Sequence, residues 1–425
     1  MPFRRLRPMS MHISDKALQA LNHPSTILSI TTMKDFNFYA PTEVVFGKEA
    51  EEQVASLVKK YGGKKVLLHF GGGSAKRSGL LDKVISLLEE QGVAHVELGG
   101  VVPNPRLSLV KQGIKMCREE KVDFILAVGG GSVIDSAKAI GYGVGYEGEP
   151  WDFWEGKSKP ESCLPIGVVL TIPAAGSEMS NSCVITNDAN NDKRGINSNL
   201  CRCKFCIMNP ERTFTLPPYQ TAAGATDIMM HTIERYFTTH QDMTLTDALA
   251  EALLRTVKDS ALEVMRNPED YRHRAQIMWA GSLSHNDLME CGSAKDFATH
   301  RLEHELSAMF DVTHGAGLAA IWGSWARFVM PGNEARFARF AVNVMGVDND
   351  FTDTRRTAEK GIEAMERFFE QIGMPVNIHQ LLGRDITDEE IEEMARRASH
   401  DGGITLGNIK VLKREDMVTI YHMAK

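Results

Sequence analysis

From Lys65 to about Pro173, short apolar runs alternate with amphipathic stretches, the pattern of successive βα units around a parallel sheet. The apolar run at residues 66–70 passes straight into Gly71-Gly72-Gly73-Ser74. Leu81, Val84, Ile85 and Leu88 then recur at helical spacing, and Gly92 supplies a stop. Residues 95–98 read as the next strand, Leu107, Val110, Ile114 and Cys117 as the next helical face, and residues 122–128 as a buried strand ending at Gly129-Gly130-Gly131. A helix is expected to open near Val133. After Leu216-Pro217-Pro218, prolines suited to a first helical turn, strand patterning nearly vanishes and residues 219–237 and 246–266 form long helical stretches. The expected architecture is an α/β domain with a parallel sheet over residues 34–215, followed by an all-helical domain over residues 216–425.

At 425 residues the chain is long enough for two cores and a deep site between them. A formal charge of −7 gives no electrostatic reason to bind nucleic acid, and no apolar run reaches the roughly 20 residues that span a bilayer. Seven cysteines, odd in number and mostly scattered, suit a reducing cytoplasm better than a disulfide framework. Cys201, Cys203 and Cys206 lie close together but lack a fourth ligand at zinc-knuckle spacing, so they read as reduced structural thiols. Residues 1–33 carry Arg4, Arg5 and Arg7 without the continuous apolar segment of a secretory signal. They read as an extension outside the catalytic fold. Strand-like patterning resumes at Met33, and an exposed stretch over residues 36–46 is expected to pair across a two-fold axis in a homodimer.

Three features carry candidate chemistry. The first is the strand, glycine triplet and helix around Gly129-Gly130-Gly131-Ser132, whose backbone amides can converge on a pyrophosphate at the positive end of a helix. Gly71-Gly72-Gly73-Ser74 departs from the G-x-G-x-x-G fingerprint, because Lys76 falls where the last glycine belongs. It offers no carboxylate to a ribose, and Lys76 with Arg77 tolerates a 2′-phosphate, so NADP(H) is favoured over NAD(H). The second feature is Asp227 and His231, four residues apart and therefore on one helical face. The third is His300-Arg301-Leu302-Glu303-His304, followed by His314. Read literally, H-x-x-E-H is the inverted zinc-peptidase motif, in which both histidines hold zinc and the glutamate handles the proton. Read with Asp227 and His231, the same imidazoles form a borderline site suited to Fe²⁺ or Zn²⁺.

Taken together, Gly129-Gly130-Gly131-Ser132-x-x-Asp135-x-Ala137-Lys138, the segment from Thr171 to Met179, the Asp227/His231 helix and the His300/His304/His314 set resemble the iron-type (group III) alcohol dehydrogenases. Val102-Pro103-Asn104-Pro105-Arg106, Leu302-Glu303-His304-Glu305-Leu306-Ser307-Ala308 and Gly402-Gly403-Ile404-Thr405-Leu406-Gly407 are similar to its butanol dehydrogenase branch. The likeness runs from about residue 34 to the C-terminus. It implies that Asp227, His231, His300 and His314 ligate a divalent metal, Fe²⁺ before Zn²⁺, and that His304 relays a proton beside the nicotinamide. It implies cofactor contacts at Gly130, Gly131, Ser132, Asp135, Asn104, Thr171, Ser177 and Lys193, with Gly72, Gly73 and Ser74 at the adenosine end. The implied reaction is hydride transfer between NAD(P)(H) and a small aliphatic alcohol or aldehyde such as butanol or butanal, with a glycerol dehydrogenase-like relative or the peptidase as alternatives. Under this resemblance Glu303 has no required role and its substitution is expected to change little, while Trp279, Leu283 and Phe297 are candidates for an apolar substrate wall.

Overall fold

The structure, a computed structural model, describes residues 33–240 and 242–425. The extension over residues 1–33 therefore lies outside the described residues except for Met33, which packs against Gly292. Six strands, β1 (Glu43–Phe46), β2 (Lys65–Gly71), β3 (Ala94–Val101), β4 (Phe124–Gly129), β5 (Ile166–Leu170) and β8 (Phe205–Met208), form one sheet in the order β1-β8-β5-β4-β2-β3. Every pairing is parallel. β6 (Ser182–Asn187) and β7 (Asp192–Asn197) make a separate antiparallel pair, which the βα pattern of the sequence did not indicate.

Alternation along each strand explains why both faces of the sheet are covered. Leu67, Ile125, Ala127, Val168 and Leu170 point to one face, under α4 (Leu107–Glu119) and α5 (Gly131–Val144). Val66, Leu68, Leu126, Val128 and Val169 point to the other, under α1 (Val54–Lys60) and α3 (Leu80–Glu90), with the one-turn α2 (Ser74–Arg77) between β2 and α3. The register aligns Phe46, Met208, Leu170 and Gly129 across the sheet, and the carboxyl ends of β2 and β3 meet at Gly71 and Val101. All strand C-termini thus share one edge, where open α/β sheets bind ligands.

The transition to helices falls between Met208 and Pro218. α6 (Pro218–Tyr236) is the hub of the helical part, buried on all sides from Thr221 to Tyr236 and packed against α7 (Thr244–Arg266), α8 (Tyr271–Ser284) and α10 (His314–Val329). α9 (Ala298–Phe310) lies against α10 and α14 (Asp388–Ala398), with α11 (Glu334–Asn343), α12 (Thr354–Gln371), α13 (Ile378–Leu382) and α15 (Arg414–Met423) completing the domain. One expectation needs correction. The strand anticipated over residues 36–46 is limited to Glu43–Phe46, because only those residues reach β8. Cys201, Cys203 and Cys206 are free thiols buried in the core under one face of the sheet, with Cys206 on β8 and the other two in the turn before it.

Candidate metal centre and dinucleotide cleft

Asp227 and His231 sit one turn apart on α6, and His300 and His304 repeat that spacing on α9. His314 is the first residue of α10. What brings His314 to Asp227 is Gly315: a Cβ there would stand 2.0 Å from the carbonyl oxygen of Ala223, one turn before Asp227, so only glycine lets the start of α10 touch the α6 backbone. Ligand-capable atoms of Asp227, His300 and His314 lie within 4.8 Å of one another. The Nε2 atoms of His300 and His314 are 3.6 and 3.7 Å from Asp227 Oδ1.

His231 borders this group rather than joining it. Its Nδ1–H donates to the Asp227 carbonyl at 3.0 Å, and its ring centre is 4.4 Å from that of His300. Burial holds the His231 imidazole down to about 4, neutral at physiological pH. For His300, burial acts the same way but Glu234 and Asp227 outweigh it and raise the ring to about 9. Burial opposes the Asp227 charge too, yet His231 and His314 hold its carboxyl well below the usual range.

Two carboxylates orient the imidazoles. Buried Glu234 accepts from His300 Nδ1–H and from the backbone N–H groups of Thr299 and His300, the latter two at 2.6 and 3.2 Å. Buried Glu303 accepts from His314 Nδ1–H and from the Ser307 hydroxyl, with Lys193 Nζ 3.7 Å away. Glu303, expected to have no required catalytic role, has an orienting one: its carboxylate fixes the tautomer of His314 and leaves Nε2 facing Asp227. Glu234 escaped sequence reasoning, although Asp227, His231 and Glu234 recur at i, i+4 and i+7 on one helical face. His285 was also missed. Its ring meets His231 edge-on at 4.1 Å and borders the cleft, and no spacing ties it to the other histidines.

Donor chemistry favours a cation here. Asp227 Oδ1 and His300 Nε2 are buried without a well-aligned hydrogen bond, although His231 Nδ1 stands 3.1 Å from that oxygen, and an ion bound between them would satisfy both. A carboxylate with imidazoles fits a borderline divalent metal.

The same cavity, about 730 Å³, runs from this group to the glycine-rich turns. Gly72 and Ser74 line it, whereas Gly73 between them does not, and Gly130, Gly131 and Ser132 line it where α5 opens. No side chain caps α5, and its first intrahelical donor is Val133 N–H, which leaves earlier amides for an anion. A Cβ on Gly131 would stand 2.9 Å from the Ala175 Cβ, so the turn and the Thr171–Met179 segment pack as one wall.

Asn104, Asp135, Thr171, Ser177 and Lys193 all line the cavity. Asp135 and Ser177 bind each other, with the Ser177 hydroxyl donating at 2.5 Å and Val184 N–H at 2.9 Å. Burial raises the Asp135 carboxyl against the opposing charge of Lys138. Asn104 reaches across to Asp311 at 3.0 Å, bridging the α/β part to the end of α9. His304 lines the cavity beside His314, its ring kept neutral by burial and by nearby Lys193, and its Nδ1 has no hydrogen bond. Of the proposed apolar wall only Phe297 borders the cavity; Leu283 packs on the helical core and Trp279 is 40% exposed to solvent.

Two family models match nearly the whole described chain: iron-containing alcohol dehydrogenase over residues 41–210, and the C-terminal part of the Fe-containing alcohol dehydrogenase family over residues 221–425. The chain belongs to the iron-containing alcohol dehydrogenases. It is 40% identical over 391 residues to NADH-dependent butanol dehydrogenase A of Clostridium acetobutylicum, covering 92% of this chain and 99% of the relative. It is 34% identical to the NADPH-dependent aldehyde reductase YqhD of Escherichia coli, covering 92% and 100%. The crystal structure of NADH-dependent butanol dehydrogenase A from Thermotoga maritima superposes with a TM-score of 0.88 at 37% identity, covering 93% of this chain and 99% of that one. The enzyme is thus an alcohol dehydrogenase or aldehyde reductase that uses a nicotinamide cofactor and a divalent metal, within the butanol dehydrogenase-like branch. The peptidase reading falls with this membership, and the geometry explains why the motif misled. Glu303 accepts from the ring of His314, and His304 is not among the residues whose ligand atoms gather around Asp227.

Proposed function

We propose that the enzyme reduces short aliphatic aldehydes, of which butanal is the test case, with NADPH favoured and Fe²⁺ as the resident ion. The observation that carries this reading is the single cavity joining the uncapped start of α5 to the orphaned oxygen of Asp227 and nitrogen of His300. Asp227, His300 and His314, with His231 adjoining, would hold the ion, which supplies Lewis-acid polarisation of a carbonyl when bound. The reduced nicotinamide supplies the hydride. The chain's own groups do the rest. The amides of Gly131 and Ser132 anchor the pyrophosphate, and Gly72, Gly73 and Ser74 hold the adenosine end. Glu234 and Glu303 keep two imidazoles in one tautomer. His304, neutral through burial, accepts a proton on one ring nitrogen while donating from the other, and so delivers it to the alcohol oxygen.

The NADPH preference rests on Lys76 and Arg77, exposed just beyond β2 with no carboxylate at that turn. Residues of β1 leave one strand edge without a partner among the described residues, and Phe36, Phe38 and Tyr39 are exposed beside it, which supports a homodimer paired along that edge. No described helix is long and apolar enough to cross a membrane, and the buried reduced thiols support a cytoplasmic enzyme. The deciding experiment combines elemental analysis with oxidation of NADPH and NADH by butanal, glyceraldehyde and dihydroxyacetone. Faster turnover with butanal and NADPH is expected, and no oxidation with any aldehyde overturns the reading.

A further inference from the structure

Gly402-Gly403-Ile404-Thr405-Leu406-Gly407, between α14 and α15, belongs to neither the metal group nor the glycine turns, yet its last four residues line the cleft. The chain doubles back behind them. Leu406 and Leu412 exchange backbone hydrogen bonds at 3.0 and 2.8 Å, and the buried carboxylate of Asp296 fills the turn they enclose. Its Oδ2 accepts from Asn408 N–H at 2.6 Å and from Ile409 N–H at 3.0 Å. At Gly407 φ is +81°, and a Cβ would stand 2.5 Å from the Lys410 carbonyl oxygen, so only glycine lets the turn close on that carboxylate.

Asp296 is anchored on the helical side as well. Its Oδ1 accepts from Ala298 N–H, the first residue of α9, at 3.1 Å, and its own N–H donates to the Glu234 carbonyl oxygen at 2.8 Å. Between these anchors lies Phe297, whose φ of +56° is left-handed. Among the described non-glycine residues with positive φ it alone is apolar; the others are Asp, Asn, Glu, Lys or His. Such a conformation is costly for a bulky side chain and persists only where the surroundings fix it. Its effect is to set the Phe297 ring on the border of the cleft, 4.9 Å from the ring centre of His300 and 6.1 Å from those of His231 and His285. His300 itself is held independently, since Glu234 accepts from both its ring and its backbone N–H.

We propose that Asp296 is a positioning residue for the substrate end of the cleft. It keeps Phe297 in the left-handed conformation that sets its ring beside His300, and it draws the Ile404–Gly407 stretch onto the adjoining wall. That this wall bears on the alkyl chain of an aldehyde rests on the aldehyde-reductase reading above; the clamp itself does not.

The clamp is tested by melting. Phe297→Gly and Phe297→Ala both lose the ring, but only glycine takes a positive φ freely, so Phe297→Gly is expected to melt about 1–3 °C above Phe297→Ala. In an Asp296→Asn background the amide has one acceptor atom for N–H groups on two sides, and the gap is expected to vanish. No gap between the two single variants, or the same gap in Asp296→Asn, overturns the proposal. The wall is tested by turnover of butanal and ethanal with the metal-loaded enzyme and its preferred nicotinamide. Asp296→Asn and Phe297→Ala should each lower the butanal-to-ethanal ratio of kcat/KM by about tenfold, chiefly through KM for butanal, and the double variant by no more than either. Metal content by elemental analysis and nicotinamide affinity by fluorescence titration should stay within about twofold of the wild type. If both aldehydes weaken together, or metal is lost with them, Asp296 supports only the fold and the proposal fails. If the wild type reduces neither aldehyde while the melting gap still depends on Asp296, the reaction reading has failed and the clamp stands; reduction of both aldehydes with an unaltered ratio and no gap is the reverse.

Discussion

Glu234 and Glu303 each accept a hydrogen bond from the Nδ1–H of one imidazole, and by doing so decide which nitrogen faces Asp227. Replacing Glu303 by Gln keeps the shape but removes the charge and can turn a donor towards His314. Retained metal after chelator dialysis and kcat are expected to fall by about 10–100-fold, as judged by elemental analysis and cofactor oxidation. Glu234→Gln should behave alike, and more severely, since its carboxylate also holds the first turn of α9. Spacing alone showed that His300 and His304 share a face. It gave no hint that the glutamate between them serves His314, because that bond depends on how α10 packs against α9.

Under the proposed reading, the element that most constrains the cofactor is the start of α5. Gly130 is extended and Gly131 begins the helix, so the free amides point into the cleft without a competing side chain. A valine at 131 would push against Ala175, whose Cβ already lies 2.9 Å from where the new Cβ must stand. Fluorescence titration of Gly131→Val is expected to show cofactor affinity lowered by about tenfold or more, because the pyrophosphate loses its seat and the cleft wall must shift. Far-UV circular dichroism should remain that of the wild type. The strands and helices around this turn were legible from periodicity, since apolar runs bounded by glycine leave few alternatives. The β6–β7 hairpin was not, because its residues mix charged and apolar types and its role is to wall the cleft.

At the scale of the whole molecule, the metal group and the buried histidines tie stability to solution conditions. Removing the metal with a chelator is expected to lower Tm in a scanning calorimeter and readdition of Fe²⁺ to restore it, since an ion bound only by the folded state stabilises that state. His69 gives a separate pH signature. It is fully buried in the sheet between the Leu98 carbonyl and the Ser136 hydroxyl, each at 2.8 Å, and burial lowers its ring to about 4. The unfolded chain takes up that proton near pH 6.5 and the folded chain only near pH 4, so stability present above 6.5 is lost as pH falls towards 4. The shift corresponds to about 3 kcal/mol from this group. Urea titrations from pH 7 to 4 should show a slope that His69→Gln flattens by about that amount.

The two-part architecture, the glycine turn at the start of α5 and the set of side chains able to hold a metal were legible in the chain, because hydrophobic period, glycine placement and i, i+4 spacing are local properties. Which of these groups meet is a matter of packing. The approach of α10 to α6 through Gly315 and the pairing of Glu303 with His314 arise from how separate helices pack. Contacts of that kind depend on packing and on competition for partners in a low-dielectric interior, which no local pattern encodes.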